Sequence, residues 1–145
     1  MIDRDGFTLI ELAWVLVLGA FLLSLATPAF LRGRDALAVR AARDHLIQSV
    51  ALARALAPAL GGSELLLEPG AGRVRVRSSG RVHEDHSLAS LYGVRLSVQG
   101  TTQPLVSLRF DGLGIGRMAN RTIALERGGS RAGVTLSMYG RARAW

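Results

Sequence analysis

Histidine and carboxylate side chains are the groups in this chain that could perform acid–base or metal chemistry. His83, Glu84 and His86 lie within four consecutive residues, and His45 stands far upstream. These are metal-ligand types, but the two neighbouring histidines are only three residues apart and no third ligand is evident. We therefore expect a solvated loop here and no metal site. We expect His45 to lie on a helix with no Ser, Cys or carboxylate grouped around it.

Nucleophilic and phosphate-binding chemistry is also poorly supported by the sequence. The chain has no cysteine, which excludes a Cys nucleophile, a thiolate zinc site and a disulfide framework. No serine stands in a recognisable nucleophile motif. The glycine-rich segment 112–116 is not followed by a helix or by Gly-Lys-Ser/Thr, so it predicts a hairpin turn rather than a phosphate loop. The sequence predicts neither an enzyme nor a cofactor site.

The arginines give the chain a basic surface. The net charge is +7, and all 18 basic residues are Arg. Seven of them fall in residues 109–145, close to Tyr139 and Trp145. Arginines interleaved with aromatic side chains can hold phosphates and stack on bases, so Arg121, Arg141 and Arg143 are candidate DNA-binding residues. Alternatively, the last two simply occupy outward positions of a final strand.

The elements that position these residues begin with residues 7–31, an apolar stretch with a single charge, Glu11. As a helix it would be about 37 Å long, enough to span a bilayer. Arg32 and Arg34 follow it, which by the positive-inside rule favours a cytoplasmic location for what comes next, while Arg4 argues only weakly the other way. The charges on the two sides of the apolar helix therefore do not decide in which direction it crosses the membrane.

Residues 32–60 predict an amphipathic helix that continues from the apolar one. Polar positions fall at Arg40, Arg43, Asp44 and Arg54. Pro58 has no N–H and therefore weakens the last turn, and a Gly-Gly pair at 61–62 ends the helix. The apolar positions recur at spacings of three, four and seven. They are Val39, Leu46, Val50 and Ala53, widened by Ile47, Ala51 and Ala57.

From residue 63 the hydrophobic period changes from 3.6 to 2, which predicts an antiparallel β domain over residues 63–145. Residues 83–91 show no clear period and predict a loop. The predicted fold class is α+β, with a long N-terminal helix packed on antiparallel sheet. The strand runs are 65–67, 74–76, 92–98, 105–110, 122–125 and 134–138.

The hexapeptide Gly6-Phe7-Thr8-Leu9-Ile10-Glu11, which opens the apolar run, resembles the start of type IV pilin-like proteins. The resemblance implies that residues 1–6 are a leader, removed after Gly6 by a prepilin peptidase that N-methylates Phe7. It also implies that Glu11 pairs with the Phe7 amine of a neighbouring subunit. Pro28 stands where the family often has a proline. The alternatives are an uncleaved signal anchor, or a conventional signal peptide cut after Ala26.

The C-terminal region is similar to GspH/FimT-type minor pilins and pseudopilins, through its glycine turns and the ending Gly140-Arg141-Ala142-Arg143. The resemblance implies a subunit of a type II secretion pseudopilus or a type IV pilus. It implies a single-pass protein of the bacterial inner membrane with a periplasmic C-terminal domain, whose partners are other pilins. Two alternatives stay open: a DNA-binding minor pilin for natural transformation, and a plain membrane-anchored β-domain without a filament.

Overall fold

The computed structural model describes residues 8–117 and 120–145. They belong to two compact units, one ending at Arg34 and one running from Asp35 to Trp145. The combination of one long helix with antiparallel strands confirms the predicted α+β class. The elements in chain order are α1 (Leu9–Leu60), β1 (Ser63–Glu68), a 3-10 turn (Pro69–Ala71), β2 (Arg73–Ser78), β3 (Arg81–Ser87), α2 (Leu88–Tyr92), β4 (Arg95–Val98), β5 (Val106–Phe110), β6 (Arg121–Arg127), β7 (Ser130–Leu136) and β8 (Ala142–Ala144).

The strands of the second unit form two four-stranded antiparallel sheets. The first has the order β3-β2-β1-β5 and the second the order β4-β6-β7-β8. Their inward side chains alternate with outward ones: in β2, Val74 and Val76 are buried, while Arg73 is exposed. Apolar side chains from both sheets and from α1 form one hydrophobic core. The period of two in β2 arises because that strand faces the core on one side only.

The part of α1 in the second unit packs one stripe into the core, as its periodicity predicts. Ala51, which the sequence assigns to this stripe, is exposed. Its position on the helix lies outside the side that faces the core. Pro58 lies inside the helix, which ends at Leu60. Gly61 is left-handed, with φ 75°, and the Gly62 N–H donates to the Ala57 carbonyl at 2.8 Å, so the glycine pair ends the helix as expected. The buried residues are Val39, Ala42, Leu46, Ser49, Val50, Ala53 and Ala57.

The prediction of a loop over residues 83–91 is wrong. The segment contains most of β3 and most of α2. Because β3 is an edge strand whose side chains are mainly polar, it shows no alternation of apolar residues. The Ser87 hydroxyl caps α2 by accepting a hydrogen bond from the Ser90 N–H at 3.2 Å. Gly93, with φ 65°, ends that helix, so Tyr92 belongs to α2 and not to the following strand.

The predicted turn at 112–116 is confirmed, and Asp111 organises it. Its Oδ1 accepts hydrogen bonds from the backbone N–H groups of Leu113 and Ile115, each at 3.0 Å. The Ile115 hydrogen bond, followed by those of Leu113 and the Arg117 guanidinium, lowers the pKa of the Asp111 carboxyl against the opposing effect of desolvation. The turn therefore favours an ionised aspartate.

Candidate functional site

Residues 8–31 of the first unit present an apolar surface. Leu9 is 88% exposed, Trp14 63% and Phe30 76%. The helix to which they belong is long and apolar enough to cross a membrane. An exposed apolar surface of this extent is unfavourable in water, so within the described chain this segment is the one that needs lipid or other apolar helices around it.

Glu11, the only charge of that segment, closes a reciprocal hydrogen-bond pair at the start of α1. The Thr8 N–H donates to Glu11 Oε2 at 3.4 Å, and the Glu11 N–H donates to Thr8 Oγ1 at 3.3 Å. This is a capping box, which satisfies two of the N–H groups that a helix start leaves free. The carboxylate keeps lone pairs for a further donor. Gly6 and Phe7 lie outside the described residues, so processing between them stays a prediction.

Pro28 lies in a turn of α1 where backbone hydrogen bonding is weakened. Proline has no N–H to donate to the helix ladder. Two hydroxyls upstream bond to helix carbonyls instead of solvent, Ser24 to Phe21 at 2.7 Å and Thr27 to Leu23 at 2.8 Å. Such back-bonding loosens a helix slightly, so this is the turn where we expect the apolar segment to bend most easily.

The three candidate DNA-binding arginines do not share one surface. Arg143 on β8 pairs with Thr135 of β7, whereas Arg121 on β6 pairs with Leu136, whose side chain is buried. Residues paired across antiparallel strands point to the same face, and neighbours along a strand point to opposite faces. The register therefore places Arg121 on the face of the sheet opposite Arg143, while Arg141 and Arg143 line one shallow surface depression with Thr135.

Ion pairing separates these arginines from the others in the basic C-terminal region. Arg121, Arg141 and Arg143 have no carboxylate within 4.0 Å among the described residues. The Trp145 ring makes a cation–π contact with the Arg131 guanidinium, whose Cζ lies 5.6 Å from the ring centroid. The paired arginines are Arg109 with Glu64, Arg117 with Asp111, Arg127 with Asp35 and Arg131 with Glu126.

Arg141 and Arg143 are positioned by a tight turn that separates them from β7. In the structure β7 ends at Leu136, and β8 is a separate strand. Gly140 in the turn has φ 79°, and a Cβ added to it would come within 2.7 Å of the Phe110 ring. The glycine of the Gly-Arg-x-Arg ending is therefore required by the backbone and by a close approach to β5.

His45 lies in a polar cluster, contrary to the expectation that it has no partners. Its Nε2 is 3.2 Å from Glu84 Oε1 and its Nδ1 is 3.1 Å from the Tyr92 hydroxyl. The Ser49 hydroxyl donates to the same Glu84 oxygen at 2.8 Å. The Nε2 of His86 is 3.8 Å from it. The contacts of His45 and Ser49 with Glu84 and Tyr92 join residues 35 to 47 positions apart, so no local spacing could reveal them.

The fold has relatives among solved structures. Two crystal forms of the type IV minor pilin FimU from Pseudomonas aeruginosa strain PAO1 superpose on this chain with TM-scores of 0.60 and 0.58. Identity is 15% in both cases, over 74% and 73% of this chain and 87% and 91% of FimU. The chain has a type IV pilin fold. No family model matches this chain, and no curated protein matches it at a significant level.

The pilin fold gives the architecture in which the candidate residues sit. At 15% identity to FimU, the roles of Glu11, Pro28 and the arginines have to be argued from the chemistry of this chain. Two surfaces of this pilin fold stand out: the exposed apolar segment with its lone carboxylate, and the Arg141–Arg143 depression.

Proposed function

We propose that the chain is a minor pilin-like subunit whose apolar helix serves first as a membrane anchor and then as the assembly element of a filament. The observation that carries the proposal is the exposed apolar surface of residues 8–31 with one carboxylate, Glu11, at its start. In this proposal residues 7–31 span the bacterial inner membrane once, and the pilin-fold domain lies in the periplasm. The filament is a type II secretion pseudopilus or a type IV pilus.

Processing exposes a charge that Glu11 can bind. A prepilin peptidase cuts after Gly6, and the new amine of Phe7 stays cationic when it is methylated. A carboxylate on a membrane helix costs about 2.5–3.5 kcal/mol at the bilayer centre, and less toward the interface. An ammonium from a neighbouring subunit offsets that cost, because opposite charges attract strongly where the dielectric constant is low. The pair would set the register between adjacent helices.

Mass spectrometry of the protein extracted from membranes tests this proposal. The expected N-terminus is N-methylated Phe7, and replacing Gly6 by a bulky residue, Gly6→Leu, should leave the precursor uncut. A mature start at Thr27 would indicate a conventional signal peptide instead. A chain that keeps residues 1–6 would indicate a plain membrane-anchored β-domain without a filament role.

A second candidate function is DNA binding by the periplasmic domain, as in a minor pilin for DNA uptake. It is favoured by one observation: Arg141 and Arg143 lie together and lack carboxylate partners among the described residues. Unpaired guanidinium groups side by side suit consecutive phosphates. Arg121, also unpaired but on the other face of the sheet, provides a matched control.

Binding of duplex DNA to the protein in a non-ionic detergent tests this second function. Replacing both Arg141 and Arg143 by Ala should weaken binding near 0.15 M salt and flatten the log–log salt dependence by about 2 units. Lysine at both positions should keep much of the affinity, because a phosphate track requires charge more than fork geometry. If Arg121→Ala weakens binding as much as the double variant, or if the parent does not bind, the DNA function is wrong.

A further inference from the structure

Two elements of the second unit place metal-ligating side chains on facing surfaces. On α1, His45 and Ser49 are one helical turn apart and lie on the same side of the helix. On β3, Glu84 and His86 are two residues apart and lie on the same side of the strand. One donor atom each from His45, Glu84 and His86 can be chosen so that all three lie within 4.8 Å of one another.

The register of the first sheet directs the two β3 residues toward the helix. Glu84 pairs with Val76 and His86 pairs with Val74, and both valines are buried in the core that α1 covers. Cross-strand partners point to the same face, so the carboxylate and the imidazole point to the core side. A bulge opposite Val76 and Arg77 leaves His83 as the extra residue of β3. This extra residue determines which side chains of β3 point to the core side.

Among the described residues, the charge of the Glu84 carboxylate can be balanced only by a proton on one of the two histidines or by a bound cation. The Glu84 side chain is only 13% exposed. Among the described residues, its ion-pair partners are the two histidines, and a neutral imidazole offers a lone pair rather than a positive charge. A largely buried carboxylate without a cation is unfavourable.

We propose that His45, Glu84 and His86 bind a divalent transition-metal ion of the Zn²⁺ class. Two imidazole nitrogens and one carboxylate oxygen are a typical zinc ligand set, with the remaining position held by water. Ligand atoms of a tetrahedral zinc site lie about 3.3 Å apart, given bonds of about 2.0–2.1 Å. The distances from Glu84 Oε1 to the two Nε2 atoms, 3.2 and 3.8 Å, are close to that spacing.

Outer hydrogen bonds already orient the ligands. Tyr92 OH lies 3.1 Å from Nδ1 of His45, so the Nδ1–H can donate to it and leave Nε2 free for the metal, while Ser49 donates to the carboxylate of Glu84. Partners of this kind fix the tautomer and ring orientation of metal-binding histidines. The His86 side chain is 46% exposed, which gives an ion a path from solvent. The ion would pin α1 to the edge strand β3, whether or not the chain enters a filament.

Titration with ZnCl₂ against a chelating dye tests the proposal, on full-length untagged protein in non-ionic detergent at pH 7.5. We expect one tight site per chain and a rise in the thermal unfolding midpoint of the β domain when zinc is added. His86→Ala should lower the affinity at least about tenfold and abolish that rise. It removes a half-exposed ring, so it should leave the fold intact.

Two further variants make the test specific. Tyr92→Phe should weaken zinc binding about 10–100-fold, the usual effect of removing an outer hydrogen bond. His83→Ala is the matched control, since it removes an exposed histidine from the same strand and should bind zinc as the parent does. The proposal is overturned if the parent shows no saturable site, if His86→Ala binds like the parent, or if His83→Ala loses as much affinity as His86→Ala.

Discussion

Replacing Gly140 by alanine should destabilise the β domain through two separable effects. The first is the left-handed backbone, φ 79°, which costs a residue with a Cβ about 1 kcal/mol. The second is steric, because the new methyl group would lie 2.7 Å from Phe110 Cε1 and 3.2 Å from the Gly116 nitrogen. Overpacking of this kind costs about 1–3 kcal/mol. The expected loss of unfolding free energy is therefore about 2–4 kcal/mol.

Two other glycines separate these effects. Gly80 is also left-handed, with φ 75°, but an added Cβ would meet nothing within 4 Å. Gly80→Ala should therefore cost only the backbone part, about 1 kcal/mol. At Gly129 an added Cβ also meets nothing within 4 Å, and the backbone is not left-handed. Gly129→Ala should change stability by less than about 0.5 kcal/mol.

Thermal unfolding followed by near-ultraviolet circular dichroism, in non-ionic detergent, compares the three variants with the parent. The expected order of destabilisation is Gly140→Ala, then Gly80→Ala, then Gly129→Ala. If Gly140→Ala is no worse than Gly80→Ala, the contact with Phe110 does not constrain the turn. Gly140 would then not be needed to position Arg141.

Three further predictions concern the anchor, the domain boundary and acid stability. Glu11→Ala should insert into the membrane at least as well as the parent but be depleted from sheared filament fractions; equal amounts of both in those fractions would remove the docking role. A fragment of residues 35–145, which form one compact unit, should fold and stay soluble, and a circular dichroism spectrum of unfolded chain would contradict this. Because the pKa of Asp111 is lower in the folded chain, its stabilisation should be complete above the unfolded pKa of about 3.9 and disappear as the pH falls through the folded value. Asp111→Ala should therefore flatten acid unfolding curves in that range.

The sequence predicts an element well where that element has one apolar side. The helical stripe from Val39 to Ala57 and the alternation in β2 were predictable because the core imposes a period of 3.6 or 2 on them. The edge strand β3 was missed because its side chains are polar on both faces. The strand therefore has no apolar periodicity by which it could be recognised.

The candidate sites, too, could be predicted only where they depend on residues close together in the sequence. Glu11 could be singled out because it is the only charge in residues 7–31, whereas its capping box with Thr8 was not predicted, although the Thr-x-x-Glu spacing is a local signal. The separation of Arg121 from Arg143 depends on the parity of two strand pairings, and the cluster at His45 depends on a bulge in a distant strand. Such features require the register of the sheets, which a single sequence does not contain.

The polar character of β3 also matters where many copies of the chain are crowded together. An edge strand carries backbone N–H and C=O groups that can pair with the edge of another molecule. Here charged side chains line that edge, with Asp85 held by Arg73 at 2.6 Å on the outer face. A second strand that added to β3 would have to bury these charges, which favours separate domains over sheet extension. The polar residues of β3, which show no apolar periodicity, would thus protect the chain against aggregation at high local concentration.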